Sequence, residues 1–598
     1  MPVVHFSRTW VVRLPLLGVS FFALALPSAL AADTPAKTAA TTPAKSTATV
    51  TPSKSTASSS KEESGGRDLS YGIEEVKKIN EEIRTAWKDS EITPSPPAPD
   101  NEWVRRVYLD ILGRTPSVAE LQAYMSDRSA DRKVKLVDKL LNDPAYVDDF
   151  ARNWTTIWTN LLIGRSGGTE RNSLTSREGM QKYVRDSIAR NKPYDKFVSE
   201  LVTATGVNVP GEEGFNGAVN FYSMKLEEKG SQATAQTAKI FLGMQVQCTQ
   251  CHNHPFNDWK QQKFWEFNAF FRQMAIQRMG EKVGGNRGTN VAKLVNENFR
   301  GEGGGNIKEA ELYYELRNAQ MKVAYPVFVD GTAIDPSGDV SDTNRRNELA
   351  KLIVTSKFMP EAYVNRLWQH FFGHGFTKPI DDMGPHNPPT HPALLTYLGE
   401  RFRYKGFNSR ELMKWIVLSE PYSLSSRFNK GNVKDDPTLG EKPKFSHYYM
   451  RQMSAEQLYE SLLVATEAGG GRGSFEDQEK IKREWLQQFV VAFGNDEGTE
   501  SSTFNGTIPQ ALMMFNGDLI KNATSTGNGS FLAKVATGSL GPAEKINYLY
   551  MSALARKPFN NELSAANALL SAHKGDTAAA LQDVWWAVLN SNEFILQH

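Results

Sequence analysis

Two stretches near opposite ends of the chain are copies of one another. VYLDILGRTPSVAEL (107–121) aligns with LYMSALARKPFNNEL (549–563), and Tyr108/Tyr550, Leu112/Leu554, Arg114/Arg556, Pro116/Pro558, Glu120/Glu562 and Leu121/Leu563 coincide. Further on, LLNDPAYV (140–147) parallels VLNSNEFI (588–595). Each copy reads as a helix, a tight Arg-x-Pro turn, a second helix, and a third ending in Leu-Asn. A repeated unit of this kind is a packing device, so both ends are expected to be helical.

The rest of the folded chain follows the same period. NEWVRRVYLDILG places Trp103, Val107, Leu109 and Leu112 at helical spacing, breaks at Gly113 and restarts after Pro116. Two further pairs of helices are split at Asp143-Pro144 and at Pro193, and another starts at a Ser454 cap. GGNRGTN and GEGGGN bound a Gly-rich loop or insertion over 281–322, and AYPVFVDGTAID (324–335) alternates like a short hairpin around Asp330-Gly331. The predicted fold class is mainly α and multi-helical: two interlocked domains, 67–280 and 323–598, with the duplicated unit at the ends and a short β-hairpin insertion.

At 598 residues the chain exceeds what one core usually fills. Lys+Arg is 69 against Asp+Glu 67, a balance that argues against a nucleic-acid binder. Residues 1–31 read as a signal peptide: Arg8 and Arg13, the apolar run LPLLGVSFFALALPSALA, then an Ala29-x-Ala31 cleavage site. Residues 32–66 are a Thr/Ser/Ala/Pro/Lys linker without the apolar residues a core requires. No later run is long enough to span a bilayer, so the expected product is exported, periplasmic or at the cell surface, with no membrane span after cleavage.

VQCTQCHNHPF (246–256) contains Cys248 and Cys251, the chain's 2 cysteines, followed by His252 and His254. C-x-x-C-H is the spacing of covalent haem attachment: two thiols add to one porphyrin edge, and the next imidazole becomes the proximal iron ligand. The haem c reading makes Cys248 and Cys251 thioether links and His252 the ligand, with His254 and Trp259 supporting it from behind. Three other readings stay open. The thiols can form a disulfide or a redox dithiol. With both histidines they are a formal Cys2His2 set for a single zinc. They can also be idle, with no cofactor. The aromatic residues of DWKQQKFWEFNAFF can wall a haem or simply be a core face.

A second cluster lies in NRLWQHFFGHGFTKPIDDMGPHNPPTHP (365–392). His370 and His374 share one helix face if the helix reaches Gly373. His370 or Met383 can supply a distal haem ligand. Without haem, His370, Asp382 and His391 are catalytic candidates for an enzyme or binding scaffold acting on extracellular polymer, the cysteines then forming a disulfide.

CTQCHNHPFNDW and VNRLWQHFFGHGFTKPIDDMGPHNPPTHPALLTYLGERF carry a resemblance to two secreted families described in planctomycetes. The chain resembles the second planctomycetal cytochrome-C-associated domain followed by the planctomycetal secreted domain, both of unknown function. VRRVYLDILGRTPSVAEL, NKPYDKFVSELV, RRNELAKLIV, SEPYSLSS and LNSNEF extend the likeness from about residue 100 to the end. The family's recurrent positions correspond to Cys248, Cys251, His252, His254, Pro255 and Trp259, then Asn365, Arg366, Trp368, His370, Gly373, Asp381, Asp382, Pro389, His391 and Pro392. Asn253 stands where Asp is frequent and His374 where Arg is usual. The haem reading calls for a redox partner, and the resemblance implies a structural partnership with a secreted sulfatase-like protein.

Overall fold

A computed structural model describes residues 69–168, 170, 172–255, 257, 259–283, 289–468, 474–493 and 518–598. The expected signal peptide, the 32–66 linker and the glycines at 284–285 and 469–471 lie outside the described residues.

The chain is mainly α. Helix Asp100–Leu112 ends at Gly113, whose φ of 73° is the left-handed cap that glycine adopts without a Cβ penalty. Ser117 then caps Val118–Ser126, its side chain receiving the Glu120 N–H while Glu120 reaches back to the Ser117 N–H. Arg132–Asn142 follows, and Asp143 caps the turn Pro144–Tyr146 before helix Val147–Ile163. The second copy repeats this order: Pro542–Leu554, Asn560–Ala572, Thr577–Leu589, and a Ser591-capped turn, Asn592–Ile595.

The hydrophobic clusters do not divide at 281–322. One core runs from Val76 to Tyr449 and takes in Ala555 of the second copy, and a second collects residues from Met453 to Ile595 together with Leu109 of the first copy. The large core is continuous because helices from both sides of the expected boundary interlock. Tyr194 stacks on Tyr363 at 3.9 Å between ring centroids, and Trp158 stacks on the same ring at 6.0 Å. Such pairs contribute about 0.5–1.5 kcal/mol beyond burial.

The Gly-rich segment is also more ordered than a loop. Met274–Val283 pairs antiparallel with Thr289–Asn296, which carries Gly206–Val207 on its other edge, and Leu312–Glu315 pairs with Met321–Ala324. Their mixed polar and apolar composition hides the period-two signal. Around Asp330-Gly331 the expected hairpin is reduced to one antiparallel bridge, Val327 with Ala333, closed by Phe328 N–H to Thr332 O.

Four buried arginines tie distant segments together. Arg105 donates to the carbonyls of Phe594 and Leu596 at 2.8 and 2.9 Å, holding the C-terminal strand Leu596–Gln597 against Arg451–Gln452. Arg106 donates to Tyr422 and Leu424 O and lies 3.6 Å over the Tyr448 ring. Arg345 reaches Ala269 O at 3.0 Å, and Arg346 reaches Val202 and Ala204 O. Burial among neutral acceptors lowers Arg105, Arg345 and Arg346 to about 10, so they stay cationic at neutral pH.

Candidate functional site

The cysteines sit on a 3-10 turn, Gln247–Gln250, with Cys251 as its C-cap. About three residues per turn places positions three apart on one side. Cys248 and Cys251 are therefore both exposed, as free thiols, while Thr249 between them is buried and bonds Val246 O at 2.6 Å. Burial, and then the Asp382 carboxylate, pushes the Cys248 thiol above its ordinary range.

The following loop is pinned to the core. Gln250 O accepts from Gln261 Nε2 and Trp265 Nε1, both at 3.1 Å. His254 N–H donates to Trp259 O at 2.8 Å, so Trp259 supports the loop through its main chain. His252 Nδ1 lies 2.6 Å from Asn253 O. A carbonyl only accepts, so Nδ1 carries the proton and the Nε2 lone pair remains available. Of the aromatic residues after the motif, Phe264, Phe267, Phe270 and Phe271 are buried in the large core, while Trp265 reaches the turn at Gln250.

The 380s loop reaches this turn. Met383 N–H donates to Gly243 O at 2.7 Å. Asp381 accepts from Gln245 Nε2 at 2.7 Å and lies 3.4 Å from Lys239 Nζ. His386 Nε2 is 3.0 Å from Asp382 Oδ1, and its ring centroid is 6.1 Å from that of His254. Asn365 holds the turn that delivers the loop, donating to Thr377 Oγ1 and Ile380 O and accepting from Phe376 N–H. The two motif regions thus meet through residues 381–386. Gln245 and Lys239, which complete the junction, carried no local signal.

Other expectations need correcting. Helix Phe358–Phe372 stops before the left-handed Gly373, so His374 leaves the helix and shares no face with His370. His370 Nε2 bonds Asp110 O at 3.0 Å and its ring packs 4.7 Å from Trp154, partners that lie outside the cysteine loop. Burial lowers its pKa. His391 is buried against Phe376 and Phe445, with Nδ1 2.8 Å from Thr390 Oγ1. Burial, then Lys444, lowers it to about 4. His370, Asp382 and His391 therefore each have a separate hydrogen-bond partner. Among the described residues no three His, Cys, Asp or Glu side chains are grouped to hold a metal ion. No helix among the described residues is long and apolar enough to cross a membrane.

Residues 78–275 match the family model PSCyt2, a protein of unknown function (DUF1549), and residues 345–570 match PSD1, a protein of unknown function (DUF1553). No curated protein and no solved structure matches the chain.

Proposed function

For a chain that carries a PSCyt2 domain followed by a PSD1 domain, we propose an exported redox protein with one covalent haem at Cys248, Cys251 and His252. One observation carries this reading: two unpaired, exposed thiols share one side of a 3-10 turn, next to an imidazole whose Nδ1 is committed to a carbonyl. That is the donor set thioether attachment and axial ligation require. When bound, the haem supplies a one-electron couple.

The chain's own residues hold and orient it. Cys248 and Cys251 would provide sulfur for the two links, and the Asn253 carbonyl, by engaging His252 Nδ1, would leave Nε2 as the iron ligand. Met383 is the distal candidate that remains, because its loop is joined to Gly243 close to the motif, whereas His370 is engaged by Asp110 and Trp154. A haem held at this turn would exchange electrons with a redox partner.

The test is an intact mass and a pyridine haemochrome spectrum of protein exported from cells that carry the cytochrome c maturation machinery. A covalent gain of one haem, lost in Cys251→Ala, supports the proposal. A mass short by two hydrogens with no Soret band would replace it with a disulfide.

A further inference from the structure

The two residues between the cysteines are the anchored part of the motif. Thr249 is fully buried and bonds Val246 O twice, through its N–H at 3.0 Å and its hydroxyl at 2.6 Å. Gln250 O accepts from Gln261 Nε2 and Trp265 Nε1, both at 3.1 Å. A carbonyl oxygen has two lone pairs, so these two side chains fill it. They also end the turn. A continuing helix would give Gln250 O the N–H of His254, which goes instead to Trp259 O at 2.8 Å.

Both clamping side chains are built in. Gln261 is 4 % exposed and Trp265 7 %. Gln261 donates its main-chain N–H to Asn253 Oδ1 at 3.0 Å, and its side-chain amide also to Glu315 O at 2.9 Å. The Trp265 ring stacks on Tyr314 with centroids 6.0 Å apart. Tyr314 and Glu315 belong to the hairpin strand Leu312–Glu315, so the turn is braced by a segment outside both family matches, 78–275 and 345–570.

The clamp bears on a competition between two fates of the thiols. Cysteines three apart on such a turn are near enough to close on each other, yet a disulfide accepts only a narrow backbone geometry. In closure Cys248 and Cys251 give two electrons and two protons to an oxidant such as glutathione disulfide, which leaves as two thiols. A turn held at Thr249 and Gln250 resists the adjustment that closure asks of it, whereas thioether attachment takes the two thiols separately. We propose that Gln261 and Trp265 are positioning residues for the cysteine pair: by holding Gln250 O they keep Cys248 and Cys251 as separate thiols, available to a porphyrin edge. The availability to haem rests on the haem reading above; the effect on the thiols does not.

The test is the dithiol–disulfide equilibrium of the full chain, exported without the maturation machinery, equilibrated in glutathione buffers and read by mass after the free thiols are trapped. Trp265→Phe keeps an aromatic ring and removes the N–H; Gln261→Met keeps the length and removes the amide. Each should close about three- to tenfold more readily than the parent, ~15–30 mV toward a more stable disulfide, with unchanged helical content. Gln262→Met is the same change one residue on, where the amide donates to Glu266 Oε1 at 2.7 Å, and it should close as the parent does. The proposal is overturned if either clamp variant keeps the parent's equilibrium, or if Gln262→Met shifts as far. Haem mass on the same chains exported with the machinery separates the two readings. Shifted variants with no haem on the parent sink the haem alone, and haem on a parent whose variants do not shift sinks the clamp alone.

Discussion

Arg114 and Arg556 occupy the same place in the two copies of the duplicated unit and make the same bonds. Arg114 grips Glu120 through both terminal nitrogens at 2.9 Å and Asp149 through Nε at 2.7 Å. Arg556 grips Glu562 at 2.7 and 2.8 Å and Glu593 through Nε at 2.6 Å. Each guanidinium also faces the equivalent tyrosine, Tyr108 at 5.5 Å and Tyr550 at 5.6 Å. The repeated sequence is thus a repeated clasp, in which one arginine joins the turn, the second helix and a carboxylate from a later turn.

Arg114→Ala and Arg556→Ala should each destabilise the protein by ~2–4 kcal/mol, because each leaves two partly buried carboxylates unpaired. The Arg556 bonds hold Glu562 below the usual carboxylate range. A depressed carboxylate stabilises the fold above its unfolded pKa, and that contribution disappears as the pH falls through the lower folded value. Thermal unfolding at pH 7 and pH 3 checks this: the parent should lose more stability on acidification than Arg556→Ala. Equal losses would rule out the clasp as a stabilising pair.

His391 gives a second acid-sensitive contribution, with the sign of a buried neutral base. Its folded pKa is about 4, lowered by burial and by Lys444 against the opposing pull of Asp435 and Glu82. Between that value and the ordinary imidazole range, only the unfolded chain takes up the proton, so stability falls as the pH drops through this window. His391→Gln should flatten the denaturant midpoint between pH 6.5 and pH 4, an effect on the order of 3 kcal/mol. A parent protein whose midpoint does not change across this range would contradict the assignment.

Gly243 joins the cysteine turn to the 380s loop in a conformation that a side chain would strain. Its φ is 67°, and a Cβ there would lie 2.8 Å from Met383 Sδ and 3.2 Å from Ala362 Cβ. Gly243→Ala should cost ~1–3 kcal/mol through left-handed strain and the clash. Hydrogen exchange should rise at the Met383 amide, whose acceptor is Gly243 O. Unchanged protection at Met383 would show that the two segments are not coupled.

Before any haem is attached, both thiols should react with iodoacetamide in the native state, since both are exposed. Asp382 contributes to the raised Cys248 pKa, after burial, so Asp382→Asn should speed alkylation of Cys248 by about two- to threefold at neutral pH. Peptide mass mapping after a timed quench separates the two sites. A Cys248 rate indifferent to Asp382→Asn would place the carboxylate too far away to matter.

The sequence by itself determined the helical class, the duplication, most helix ends and the spacing of the cysteine motif. These are local properties: the turn glycine at 113, the Ser117 and Ser454 capping boxes and the spacing of two cysteines act within a few residues. The tertiary structure decided what those residues meet. His370 and Met383 looked equivalent as distal candidates, yet one faces Asp110 and Trp154 and the other joins Gly243. Arg105, Arg106, Arg345 and Arg346 show nothing of their burial in the sequence, because the carbonyls that gather around them are distant in the chain. Helix period and capping are short-range and visible in order along the chain. Which faces come together depends on burying many apolar side chains at once, and only the packed core resolves that.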